Sequence, residues 1–224
     1  MSRIRALAAG TAASLIALAA TSLAGIAAQA AVAADATPSV AAQSANAAAA
    51  EASAAGPVFL PDGRLRFPEH YREWVFLSSG IDMSYRKDAG ASMHSMFDNV
   101  FVDPTAYREF LRTGTWPDGT VLVLELRAAA EKGSINRHGK FQTGDVMGLE
   151  VHVKDARHFN AARGFVGGWA FFGFRGRTPG TLIPTSADCY SCHRQHGAVD
   201  TTFVQFYPTL LEVAERKGTL VKGR

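Results

Sequence analysis

Both cysteines of this 224-residue chain fall in Cys189-Tyr190-Ser191-Cys192-His193, the C-x-x-C-H spacing of covalent c-type haem attachment. Two thiols three residues apart on a helical turn can add to the two vinyl groups of one haem, and the adjacent histidine then reaches iron through an imidazole nitrogen. Cys189 and Cys192 are thus the expected thioether anchors of a single covalent haem c, and His193 its proximal iron ligand. Three other chemistries compete for the same residues. A Cys189–Cys192 disulfide needs only an oxidising compartment. A thioredoxin-like redox pair shares the spacing but calls for a βαβ context, whereas Cys189 follows a Pro-Thr-Ser segment. A zinc site from Cys189, Cys192, His193 and His196 has enough ligands but draws all four from eight residues, with no second pair to close a tetrahedron.

For the sixth iron position Met83, Met93, Met96 and Met147 are the thioether candidates, although packing is the commoner role of each. His70, His94, His138, His152, His158 and His196 lie in polar surroundings and read as surface or internally satisfied residues. If no side chain reaches the iron, a small ligand can.

The elements that must position this motif occupy the 168 residues after Gly56, enough for one domain with an ordinary core and too few for two. Residues 1–33 read as an export signal: Arg3 and Arg5, an apolar run around Leu15-Ile16-Ala17-Leu18, then small-residue cleavage patterns at Ala28-Gln29-Ala30 and Ala31-Val32-Ala33. The competing reading is an uncleaved anchor, since Ala6 to Ala34 is long enough to span a bilayer. Export implies a periplasmic protein, and c-type haem is attached outside the cytoplasm. Residues 34–56 are Ala-rich, with Ser, Gln and Pro and no aromatic residue, and read as a disordered tether before a haem domain at 57–224. Without the signal, 21 Lys+Arg face 20 Asp+Glu, which gives no electrostatic reason to bind nucleic acid.

Within the domain, Asp145 to Lys154 alternates, with Met147, Leu149, Val151 and Val153 on one face and Gly148, Glu150, His152 and Lys154 on the other, as a half-buried antiparallel strand does. Gly119 to Arg127 is apolar on both faces for most of its length and predicts a central strand. Trp74 to Ser79, Asn99 to Asp103 and Gly168 to Phe174 complete about five strands. Pro104 after an Asp103 cap, with Tyr107, Phe110 and Leu111 on one face and Gly114 at the end, marks a helix. Phe203 to Ala214 repeats at helical spacing, kinked or restarted at Pro208. Glu131 to Gly144 reads as a mobile hairpin loop. The fold class is α+β, a mainly antiparallel β-sheet with flanking helices and one c-type haem near the C-terminus.

Several short landmarks occur in order: Tyr71-Arg72-Glu73-Trp74-Val75, Val102-Asp103-Pro104, Asp118-Gly119-Thr120-Val121, Gly148-Leu149-Glu150, Val153-Lys154-Asp155, Trp169-Ala170-Phe171, the haem motif, and Phe206-Tyr207-Pro208. By these the domain, from about Leu60 to Val221, resembles the cytochrome P-460 family, which includes the cytochromes c′-beta. The resemblance implies one haem bound through His193 with its opposite face open, a homodimer, and chemistry on small nitrogen compounds. Cytochrome P-460 proper oxidises hydroxylamine and carries a third covalent link from a lysine to the haem. Counting from Asp118-Gly119-Thr120, that lysine's place is taken by Leu124, which has no nucleophilic nitrogen.

Asp98 falls near where some hydroxylamine-oxidising members place a distal arginine. By the residues at 98 and 124 the chain is closer to the cytochromes c′-beta, whose haem lacks the link and binds nitric oxide. The first expectation is an exported monohaem cytochrome that binds nitric oxide or passes electrons to a periplasmic partner, with Leu124, Phe97, Phe101 and Met96 walling the haem pocket. The second is a hydroxylamine-oxidising enzyme with Asp98 or Glu125 as proton acceptor. The third is a cofactor-free exported domain with a Cys189–Cys192 disulfide.

Overall fold

A computed structural model describes residues 56–83, 95–133, 137–221 and 223; the export-signal and tether readings, and Met93 and His94, lie outside the described residues. No helix among them is long and apolar enough to cross a membrane. Six strands form one antiparallel sheet in which every neighbour in space is a neighbour in sequence: β1 Val75–Ile81, β2 Met96–Val102, β3 Val121–Ala130, β4 Phe141–Lys154, β5 Trp169–Phe174 and β6 Thr181–Leu182. Among the described residues three α-helices accompany it, α1 Pro104–Thr113, α2 Asp188–His196 and α3 Pro208–Lys217. The class is α+β, as expected.

Both faces of the sheet are covered, because the central strands are apolar on both. On the first face Val121 and Val123 of β3, Leu149, Val151 and Val153 of β4, and Phe172 of β5 pack with Tyr71, Phe101 and Phe159. On the second, Val102, Leu122 and Trp169 pack under Phe110 of α1 and Leu210, Val213 and Ala214 of α3. The two-sided apolar character read in Gly119 to Arg127 therefore has a covering layer on each face.

Helix α1 begins where its cap dictates. One Asp103 oxygen accepts the Ala106 N–H at 2.8 Å and the other accepts the Val121 N–H at 3.0 Å, so the cap also ties the helix to the start of β3. Gly114 closes the helix at φ +78°, a left-handed conformation that costs glycine nothing. Pro208 restarts rather than kinks the C-terminal segment: a 3₁₀ turn at Val204–Phe206 precedes α3.

Three expectations are corrected. Strand β4 begins at Phe141, inside the stretch read as a mobile loop, because Phe141 and Gln142 pair with Ala130 and Ala129 although their sequence shows no alternation. Met147 is 54 % exposed instead of core. The pairing runs from Leu126↔Gly148 to Arg127↔Val146, which leaves Met147 as the extra residue of a β-bulge that breaks the alternation. The presumed solvent face of β4 is covered as well: His152 is 6 % exposed, because the segment carrying the cysteine motif lies across it. The sixth strand is two residues long, too short to leave a periodic signal.

Candidate functional site

The second face of the sheet presents a mixed row beside its apolar core. Registers Val100↔Leu124, Leu124↔Glu150, Leu122↔His152 and His152↔Phe171 place these six side chains next to one another on four strands. Helix α2 carries Cys189, Cys192 and His193 over this row, with Asp188 in its first turn where a carboxylate suits the helix dipole. Tyr190 fastens the helix to the sheet, its hydroxyl accepting the Phe171 N–H at 3.1 Å and donating to the Ile183 carbonyl at 3.0 Å.

The His193 ring lies 4.6 Å from Phe171, 5.0 Å from His152 and 4.3 Å from Phe203, centroid to centroid. Its Nδ1–H donates to the Thr201 carbonyl at 2.8 Å, so the lone pair of the neutral ring is on Nε2. Burial pulls the imidazole down to about 4, against a smaller upward pull from the Thr201 bond, and the ring is neutral at physiological pH. Burial, and secondarily its proximity to His193, lowers His152 well below the usual histidine range. His152 stacks on Phe171 at 3.9 Å, and its buried Nε2 has no hydrogen-bond partner.

The turn that supplies the Thr201 carbonyl is unusual. Asp200 and Thr201 have φ of +48° and +60°, left-handed conformations that side chains, and β-branched ones above all, disfavour. Gly197 ends α2 against this turn: a Cβ there would stand 2.5 Å from the Thr201 carbonyl carbon. Gly197→Ala is expected to push the turn off His193 and to lower stability by about 1–3 kcal/mol, the usual range for overpacking, read from the denaturant midpoint.

Two adjoining cavities flank the motif. The larger, about 570 Å³, is lined by Cys189, Cys192, Asp98, Met83, Phe206 and others; the smaller, about 110 Å³, by His193, His152, Glu150 and Phe171. Val100, Leu124, Phe203 and Tyr207 wall both. The larger lies within the roughly 300–1,000 Å³ of ordinary cofactor sites. Both cysteines are unpaired, and burial pushes both thiols up, so they keep their protons at neutral pH. Two adjoining, largely apolar cavities, one bordered by two protonated thiols and the other by the neutral His193 and the orphaned buried nitrogen of His152, together fit a haem held by Cys189 and Cys192 with His193 on its iron. Among the described residues no three His, Cys, Asp or Glu side chains converge as a metal-ion cluster, so the four-ligand zinc arrangement is not assembled.

The sequence candidates divide by strand face. Leu124 walls both cavities, and Asp98 lines the larger one. Burial raises the Asp98 carboxyl, more than the Met83 N–H lowers it. Met96 shares the Asp98 face at the start of β2 but is not among the lining residues. Phe101 is on the opposite face, with Tyr71 and Phe76 as ring neighbours, and alternation puts Phe97 on that side too. The wall expected of Phe97 and Phe101 is supplied by Asp98 and Val100, one residue out of phase. Glu125 is also on the far face, held by the Tyr71 hydroxyl, Arg72 and Arg127, and is no proton acceptor for this cavity.

Glu150 and His152 line the smaller cavity, although alternation alone assigns them to a solvent face. Burial raises the Glu150 carboxyl, with no opposing bond. Their signal was the run of polar residues opposite Leu149, Val151 and Val153, in a strand next to a central one.

Among family models, that described as Cytochrome P460 matches residues 68–204, more than half of the chain, from before β1 through the cysteine motif to the turn after α2. No curated protein matches the chain.

Proposed function

Because the chain belongs to the cytochrome P460 family of haem-binding c-type cytochromes, we propose that it is an exported, periplasmic monohaem cytochrome holding haem c through Cys189 and Cys192. His193 ligates the iron on one side, and the other side is open to a small ligand, nitric oxide first, or serves electron transfer with a periplasmic partner. The resemblance of the domain supports a homodimer, and residues 1–33 support export. The observation that carries the reading is the neutral His193, its Nδ1–H fixed on Thr201, beside a cavity bordered by both thiols.

Haem, when bound, supplies an iron centre that takes a small ligand or passes one electron. The chain's own residues do the rest. Leu124 and Val100 keep water from the sheet side of the cavity. Leu124 offers no amine for a third covalent link. Asp98 places a carboxylate in the larger cavity, which His193 does not line.

A second reading, hydroxylamine oxidation, is favoured by one observation: Glu150 is a partly buried carboxylate whose raised affinity for protons suits a proton acceptor in a cavity it shares with His193. The visible spectrum of the full chain, expressed with haem-maturation machinery, separates the readings. The expected result is an ordinary c-type spectrum with a high-spin ferrous form that shifts with nitric oxide and little hydroxylamine turnover. A red-shifted ferrous band with full turnover would mean that another residue makes the cross-link, and would put the enzyme reading first. A colourless protein would defeat both.

A further inference from the structure

The Asp200–Thr201 turn must be held against its own preference, and the contacts that hold it converge on one residue far away in sequence. Lys154, the last residue of β4, has only 16 % of its side chain exposed. Its ammonium donates to Asp200 Oδ2 at 3.0 Å and to the Trp116 carbonyl at 2.7 Å. The Trp116 N–H reaches the same Asp200 oxygen at 3.3 Å, and the Trp116 indole N–H donates to Thr202 Oγ1 at 2.8 Å. Both flanks of Thr201 are therefore tied to one point, while its carbonyl receives the His193 proton at 2.8 Å. Backbone strain persists only where its surroundings over-determine it, and such strain concentrates at functional sites.

We propose that Lys154 is a positioning residue for the proximal histidine: through Asp200 and Trp116 it locks the strained turn that keeps the Thr201 carbonyl on His193 Nδ1. The consequence is electronic. A carbonyl held in line with Nδ1–H draws on that proton and makes Nε2 a stronger donor to whatever it ligates, as outer hydrogen bonds do for other metal-bound histidines. Without the lysine, Asp200 loses its counter-charge, the turn relaxes toward ordinary backbone angles, and the carbonyl swings away from the ring. The ligand then binds iron more weakly while the fold around it stays intact. This inference rests on the haem reading of His193 given above.

The test uses the haem-loaded full chain. In Lys154→Met the iron–imidazole stretching band of the ferrous protein should move to lower frequency and the midpoint potential should rise, since a weaker donor favours ferrous iron. Lys154→Arg should restore both toward wild type. Asp200→Asn, which keeps an acceptor for the Trp116 N–H but drops the charge, should shift both in the same direction by less, and it reports even if Lys154→Met does not fold. A folded, haem-loaded Lys154→Met or Asp200→Asn with wild-type band and potential would overturn the proposal while leaving the haem reading intact. A wild-type protein without haem would overturn both, and the visible spectrum tells the two failures apart.

Discussion

Protein carrying Cys189→Ala and Cys192→Ala together is expected to retain no haem after denaturation and organic extraction, a complete loss against a wild type that keeps all of it. The reason is geometric. One helical turn of α2 brings both thiols to the cavity that Leu124 and Val100 wall, and the chain has no other cysteine. On the proposed attachment each thioether would consume one vinyl group of the haem, so a single variant should keep covalent haem through the remaining sulfur. The vinyl left unreacted stays conjugated with the ring and should shift the reduced absorption band to longer wavelength.

His193→Ala provides the control that separates attachment from ligation. It leaves both sulfurs in place, so covalent haem should survive while the iron spectrum changes. If the double cysteine variant kept haem through denaturation, another residue would be forming a covalent link, and the assignment of Cys189 and Cys192 as the haem's anchors would fall.

Glu125→Ala should lower the unfolding free energy by about 1–3 kcal/mol, the cost of leaving a buried hydrogen-bonding group, the Tyr71 hydroxyl, without its partner. Glu125 is 1 % exposed; its carboxylate accepts the Tyr71 hydroxyl and Arg72 Nε at 2.7 Å and pairs with Arg127 Nη1 at 3.3 Å. Truncation leaves the Tyr71 hydroxyl without its acceptor and the 20 %-exposed Arg127 with the Thr143 carbonyl but no counter-charge from Glu125. Burial by itself would raise the Glu125 carboxyl, but the bonds from Tyr71 and Arg72 outweigh it and hold the group below its ordinary 4.5. A carboxylate lowered on folding contributes stability that is present above its unfolded value and is lost as pH falls through the folded one. The difference in stability between wild type and Glu125→Gln should therefore be constant at neutral pH and shrink as pH falls below about 4.5. Denaturant midpoints across that range measure it. Because Glu125 and the cysteine motif are on opposite faces of the sheet, ligand spectra of the glutamine variant should match wild type. A changed ligand spectrum would restore Glu125 to the site.

The pairing of β3 with β4 shows why some residues were legible and others were not. Val121 to Leu124 is apolar on both faces, and that alone requires cover on both, hence a central strand. The Asp103 cap, Pro104 and Gly114 specify α1 by local chemistry that needs no tertiary partner. Between Leu126 and Ala130 local rules fail, because the bulge at Met147 is set by hairpin register, and register is a property of two strands. The same limit misplaced Phe97 and Phe101. Their aromatic character marks them as buried but cannot say on which side of the sheet, and a shift of one residue exchanges them for Asp98 and Val100.

The chemistry that depends on covalent spacing can be read along the chain alone: Cys189, Cys192 and His193 fall at intervals one helical turn can present to one cofactor, and the ordered landmarks around them place the chain in its family. Local propensity added the strands and the cap. Only the tertiary structure decided which face of the sheet the motif covers, and with it that Glu150 and His152 line the site while Glu125 does not. It alone joined Lys154 to the turn at Asp200 and Thr201, 46 residues away. The physical reason is that burial and hydrogen bonding across a sheet depend on what packs over each face, and that is settled by segments far apart along the chain.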